Sequence, residues 1–139
     1  MTEKILHKTV CDYLRLQYND VLFNSDLSDA TKLTMGQAAQ MKNLRSNRGF
    51  PDIVIYKPNN GYHGLFLELK VAGTRLYKKN GDPATPHIEE QLYCLLKLKT
   101  LGYENAFAVG FDQAKLIIDT YLSQKPGIMF TQDTLQRIK

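Results

Sequence analysis

The stretch GFPDIVIYKPNNGYHGLFLELK, residues 49 to 70, decides how this chain folds. Two apolar runs, DIVIY (52–56) and GLFLELKV (64–71), flank a segment of turn formers: Pro58, Asn59, Asn60, Gly61 and Gly64. That pattern predicts two strands joined by a hairpin loop, antiparallel neighbours in one sheet. Side chains alternate across a strand, so Leu65, Leu67, Leu69 and Val71 form one wholly apolar face. The other face carries Phe66, Glu68 and Lys70, with the two charges about 7 Å apart along the strand. Asp52 begins the adjoining strand. A hairpin that pairs 52–57 with 64–70 brings Asp52 near Glu68 and Lys70 at the open end of the sheet. The expectation is a shared, water-accessible corner.

Outward from the hairpin, residues 3 to 18 read as a helix with Thr2 as N-cap. Its stripe is Leu6, Val10, Tyr13 and Leu14, and Glu3 falls on the same side. VLF (21–23) reads as a short strand, the polar SDLSDATKL (25–33) as loop, and MGQAAQMKNL (35–44) as a short helix. AGTRLYKKNGDPATP (72–86) is rich in charges and turn formers and reads as a long exposed loop. Thr85 and Pro86 start a helix that ends at Gly102, with an apolar stripe of Ile88, Leu92, Leu95 and Leu98. Gln91 borders that stripe. AFAVGF (106–111) reads as a buried strand, and residues 112 to 122 as a helix capped by Asp112. The last stretch, 126 to 139, reads as a short strand or turn followed by a helix. The order implies an α/β fold: one mixed sheet with helices on both faces, in a single domain over 1–139.

Hydrophobic residues make up 43% of the 139 and charged residues 23%, which suits a soluble globular domain. No apolar run is long enough to span a bilayer. The amphipathic, acid-bearing N-terminus does not fit a signal peptide, so the expected location is cytoplasmic. Cys11 and Cys94 fit no metal spacing and read as small buried hydrophobes. The net charge of +4 is only mildly basic. Its placement says more: Lys42, Arg45 and Arg48 precede the hairpin, and Arg75, Lys78 and Lys79 follow it. An anionic partner approaching Asp52 and Lys70 would meet both clusters, although a solvated loop surface accounts for the charges equally well.

Two carboxylates converging at a sheet end repel each other, so something positive must offset them. Lys70 offsets one charge, and a divalent cation could offset the rest. Hard oxygen ligands suit Mg²⁺ or Mn²⁺, with Asp52, Glu68 and the backbone carbonyl of Leu69 as candidate ligands. Such a cation polarises a phosphodiester, and an adjacent lysine orients the attacking water. E-x-K spacing alone is common on exposed edge strands. Gln91 and Glu3 strengthen the case, because a glutamine at a buried stripe needs a partner. Both would reach the acids if their helices packed on the polar face of the hairpin.

G-F-P-D (49–52), E-L-K (68–70) and Gln91 on the following helix together resemble the VRR-NUC nucleases, a branch of the PD-(D/E)XK superfamily. The resemblance runs from the first helix to about Leu122. It implies the restriction-endonuclease-like fold, with an αβββαβ core. It implies Asp52 and Glu68 as metal ligands, Lys70 as the residue that positions water, and Gln91 and Glu3 as matches to the family's helix glutamine and N-terminal glutamate. Gly49 and Pro51 match the residues that shape the start of the strand. Stand-alone members from phages and bacteria resemble homodimers that cut four-way (Holliday) DNA junctions, in recombination and repair. The chain has no room for the extra domains of larger relatives. By analogy it is a homodimeric, Mg²⁺-dependent endodeoxyribonuclease, with residues 126–139 or 35–44 as candidate dimer surfaces. The alternatives are a nickase, a flap or end-directed nuclease, and a nucleic-acid-binding module without catalysis.

Overall fold

The computed structural model of the chain describes residues 1–26 and 33–123. The hairpin is at its centre. Strand β2 (Ile53–Ile55) pairs antiparallel with β3 (Leu65–Lys70), with Ile53 opposite Leu67 and Ile55 opposite Leu65. Strand β1 (Phe23–Ser25) adds an antiparallel edge to β2, and β4 (Glu104–Val109) lies parallel to β3. The sheet is therefore mixed, in the order β1-β2-β3-β4. The first strand begins two residues later than its apolar signal. Leu22 lies before it, and the paired residues Asn24 and Ser25 are polar.

Two helices cover one face. Helix α1 (Glu3–Gln17) starts at Thr2, whose hydroxyl accepts the Ile5 N–H. Helix α4 (Phe111–Leu122) follows β4 directly. Leu6, Val10 and Leu14 from α1 and Ala114, Ile117 and Ile118 from α4 pack on Ile53, Ile55, Leu65, Leu67, Leu69, Ala106 and Ala108, all essentially fully buried. Each large aliphatic side chain there contributes about 1.5–3 kcal/mol by leaving water. Helix α4 is capped differently from the sequence expectation: Gly110, with φ of 85°, is the N-cap, and Asp112 sits inside the first turn. The chain must turn sharply out of β4, which favours glycine at that point.

Helix α3 (Pro86–Thr100), capped by the Thr85 hydroxyl, lies on the opposite face. A second, smaller core forms there from Leu76, Ile88, Leu95, Phe107 and Val109. Leu76 corrects the reading of residues 72–86 as simply exposed. That segment folds into a compact turn: Lys78 N–H bonds Asp82 O, Ala84 N–H bonds Leu76 O, and Tyr77 pairs with Pro83. Leu76 anchors it, with Tyr77 and Ala84 packed alongside. The short helix α2 (Met35–Asn43), with Thr34 and Gln37 in a capping box, has no buried residue.

Candidate active site

The ladder between β2 and β3 ends at Ile53 and Leu67, so the next register step sets Asp52 opposite Glu68. Asp52 Oδ2 accepts the Leu69 N–H at 2.8 Å, a charge-assisted bond made where β2 no longer supplies a carbonyl. Glu68 Oε1 accepts Gln91 Nε2 at 2.6 Å, and Lys70 Nζ stands 4.0 Å from the same oxygen. Asp52, Glu68, Lys70 and Gln91 thus meet at one end of the hairpin.

The arrangement differs from the sequence expectation in two respects. The corner is closed rather than open: Asp52 is 5% exposed, Glu68 2%, Lys70 8% and Gln91 1%. Helix α3 accounts for this. Its buried side is Ile88, Gln91, Cys94 and Leu95, so Gln91 lies within the stripe, and Leu92 and Leu98 are moved to its border. The second difference concerns α1, which packs on the apolar face of the hairpin and not beside Glu68 and Lys70. From there it is His7 that reaches the acids, with Nε2 3.6 Å from Asp52 Oδ2 and Nδ1 3.2 Å from Ser25 Oγ. Glu3 lies one turn earlier, partly exposed. The signal for His7 was present in the sequence: it stands at helical spacing from Val10 and Leu14, inside the apolar stripe.

Gly49 explains why the motif begins with glycine. Its φ is +81°, and a Cβ there would come within 2.8 Å of the Glu90 backbone carbonyl and 2.9 Å of Gln91 N. Only glycine lets the strand approach pass flush against α3, at the residue whose side chain bonds Glu68.

A scan against protein-family models and a search of curated proteins found no match. A search of solved structures found a VRR_NUC domain protein with a TM-score of 0.64 and 25% sequence identity, covering 95% of this chain and 97% of its own. Over nearly its whole length the chain is similar to this VRR_NUC domain protein.

At this corner acids and bases lie close together. Two acids face each other across adjacent strands, with one ammonium 4.0 Å from Glu68 and one imidazole 3.6 Å from Asp52. Gln91 donates its Nε2–H, and its Oε1 is buried with no hydrogen-bond partner among the described residues. The cost of such an atom is about 1–3 kcal/mol, which is tolerated where a site needs it. Burial, and then the Glu68 charge, push the Cys94 thiol above its usual pKa, consistent with an inert buried thiol.

The donor set fits a hard divalent cation. Among the described residues no group of three or more His, Cys, Asp and Glu could hold a metal; the oxygen donors at this corner are the two carboxylates, with backbone oxygen beside them. Leu69 qualifies on geometry: a residue's N–H and C=O point to the same side of a strand, and the Leu69 N–H reaches Asp52 beyond the end of β2. The Lys70 carbonyl, by contrast, accepts Gly110 N–H at 2.7 Å on the β4 side.

Of the six cations expected to meet DNA, Lys42, Arg45 and Arg48 line one cavity of about 510 Å³, together with His87, which the sequence reading did not single out. Arg45 pairs with Asp26. Arg75, Lys78 and Lys79 are exposed on the folded 72–86 turn.

Proposed function

We propose that this chain is a VRR-NUC nuclease: a metal-dependent, structure-selective endodeoxyribonuclease that hydrolyses phosphodiester bonds at four-way DNA junctions. The observation that carries the reading is the convergence of Asp52, Glu68 and Lys70, with Gln91 bonded to Glu68 at 2.6 Å. A nuclease of this family needs that constellation, and a purely structural hairpin has no use for two buried acids side by side.

Asp52, Glu68 and the Leu69 carbonyl would hold Mg²⁺ or Mn²⁺, which supplies Lewis-acid polarisation of the phosphodiester and acidifies a water. The chain's own residues do the positioning. Leu69 N–H fixes one oxygen of Asp52, and Gln91 fixes one oxygen of Glu68, so each carboxylate presents its other oxygen in a set direction. Lys70 orients the attacking water and carries positive charge toward the developing negative charge on the phosphate. The sheet, α1 and α3 keep bulk water out, which strengthens each of these interactions.

Lys42 and Arg48 on one side and Arg75, Lys78 and Lys79 on the other would take strand phosphates without reading bases. A homodimer would present two equivalent sites to two equivalent strands of a junction. Of the two candidate dimer surfaces, residues 35–44 correspond to α2, and 126–139 lie outside the described residues.

The test is a panel of labelled four-way junctions, flaps and linear duplexes with Mg²⁺ or Mn²⁺, run beside Lys70→Ala and a solution mass measurement. Junction cleavage by the wild type alone is expected, at a mass of two chains. Cleavage of flaps or duplexes instead would reassign the substrate. Binding without any cleavage, in Mn²⁺ as well, would leave a non-catalytic module. Arg75→Ala and Lys78→Ala should each lower the salt dependence of binding by roughly one unit of slope.

A further inference from the structure

The lining of the cavity beside α2 combines two chemistries. Leu33, Ala38 and Met41 supply apolar surface, and Lys42, Arg48 and His87 supply basic groups. Arg45 also lines it while paired with Asp26, and Glu90 is the acid among the lining residues. Its volume of about 510 Å³ lies within the roughly 300–1,000 Å³ usual for small-ligand sites. A nine-residue helix such as α2 is marginal alone. Yet α2 buries nothing within the chain, and it turns Ala38 and Met41 to the cavity. Gly49 lines the same cavity and packs on the backbone of Glu90 and Gln91, so one residue separates it from the carboxylate corner.

We propose that this cavity seats one unstacked nucleotide of the substrate strand next to the cut. Its phosphate lies against Lys42 and Arg48, and its base lies against Leu33, Ala38 and Met41. The inference rests on the nuclease reading for the source of the nucleotide. The chemistry of the cavity is independent of that reading: a ligand that joins an anion to a flat, largely apolar ring matches a lining that supplies both basic groups and apolar surface. The consequence is a source of structure selectivity. Extruding a nucleotide loses stacking and pairing, and the loss is least where the strand is already distorted. A branch point offers such a nucleotide, and a linear duplex does not.

The experiment uses metal-free protein, so nothing is cut. Junctions carrying 2-aminopurine beside the branch, and the same probe within a linear duplex, are titrated by fluorescence. The branch-adjacent probe should brighten as it unstacks, and the duplex probe should not. Ala38→Phe, which fills the cavity from an exposed position, should abolish the brightening and weaken junction binding about tenfold. Met41→Glu should do the same by charge, and both variants should keep the wild-type melting temperature. Equal brightening in wild type and both variants would overturn the proposal. So would deoxythymidine 5′-phosphate binding as tightly as the junction, since the cavity would then be a free-nucleotide site. Junction cleavage in Mg²⁺ without probe unstacking would sink the cavity and leave the nuclease reading intact. Unstacking without cleavage would do the reverse.

Discussion

Two buried glutamates stand at opposite ends of the same sheet, each 2% exposed. Glu104 begins β4, where it accepts Lys99 Nζ at 2.6 Å and the Asn105 N–H at 3.0 Å. Lys99 in turn lies 4.6 Å over the Tyr62 ring. Glu68, near the end of β3, has a neutral amide at 2.6 Å, its nearest ammonium at 4.0 Å, and a second acid opposite it in register. Burial is equal, so burial does not distinguish them. The difference lies in compensation. The charge of Glu104 is met by a contacting cation, as a structural ion pair requires. Glu68 instead has a neutral amide and Lys70 as partners and shares its end of the sheet with Asp52, the end at which we propose that the metal binds.

The largest expected effect comes from neutralising the end that carries the acid pair. Asp52→Asn and Glu68→Gln should each lower cleavage by roughly 10²–10³ or more. Their melting temperatures should match or exceed wild type, because the change relieves acid–acid repulsion. Calorimetry beside a cleavage assay reads both, and unfolded variants would make the acids structural. Gly49→Ala comes next. A non-glycine residue at positive φ costs roughly 1–2 kcal/mol, and its Cβ must also push on the α3 backbone. A displacement of Gln91 by about 1 Å should cost roughly 10²-fold in rate, with DNA binding nearly kept; an unchanged rate would disconnect Gly49 from the site.

Glu104→Gln should give the mirror image of Glu68→Gln. Stability should fall by about 2 kcal/mol as Lys99 loses its counter-charge, while the cleavage rate per folded molecule stays at wild type. Loss of rate there would erase the contrast between the two ends. The smallest effect is a pH dependence. Burial alone would lower the Lys99 pKa, but its hydrogen bonds to Glu104 and Tyr62 outweigh this and raise it. A raised folded pKa stabilises fully below the unfolded value of about 10.4 and is lost as pH rises through the folded value. The melting-temperature gap between wild type and Glu104→Gln should therefore narrow above about pH 10.4. A gap that widened there would put the stabilisation elsewhere.

The hairpin, its pairing and the two helices that frame it were readable because each carries its own local signal. Alternation marks β3, turn formers mark 57–64, and Thr2 and Thr85 mark helix starts. Asp52, Glu68 and Lys70 could be brought together from strand register alone. His7 was harder to find: a single imidazole among Leu6, Val10 and Leu14 has its meaning only once α1 is laid across the end of β2. Leu76 was missed for a related reason, since one apolar residue in a charged loop sets up no periodicity.

The amino-acid order alone determined which residues pair along the hairpin, because backbone alternation and turn chemistry act over a few residues. It determined the mixed α/β class for the same reason. Tertiary packing decided what lies above and below that hairpin: α1 on the apolar face with His7 on Asp52, and α3 on the polar face with Gln91 on Glu68. Packing also decided that the corner is closed and that Lys42, Arg48 and His87 share a cavity. Those contacts join residues far apart in the chain, and shape complementarity between whole faces, which no local pattern encodes, selects among the ways of stacking them.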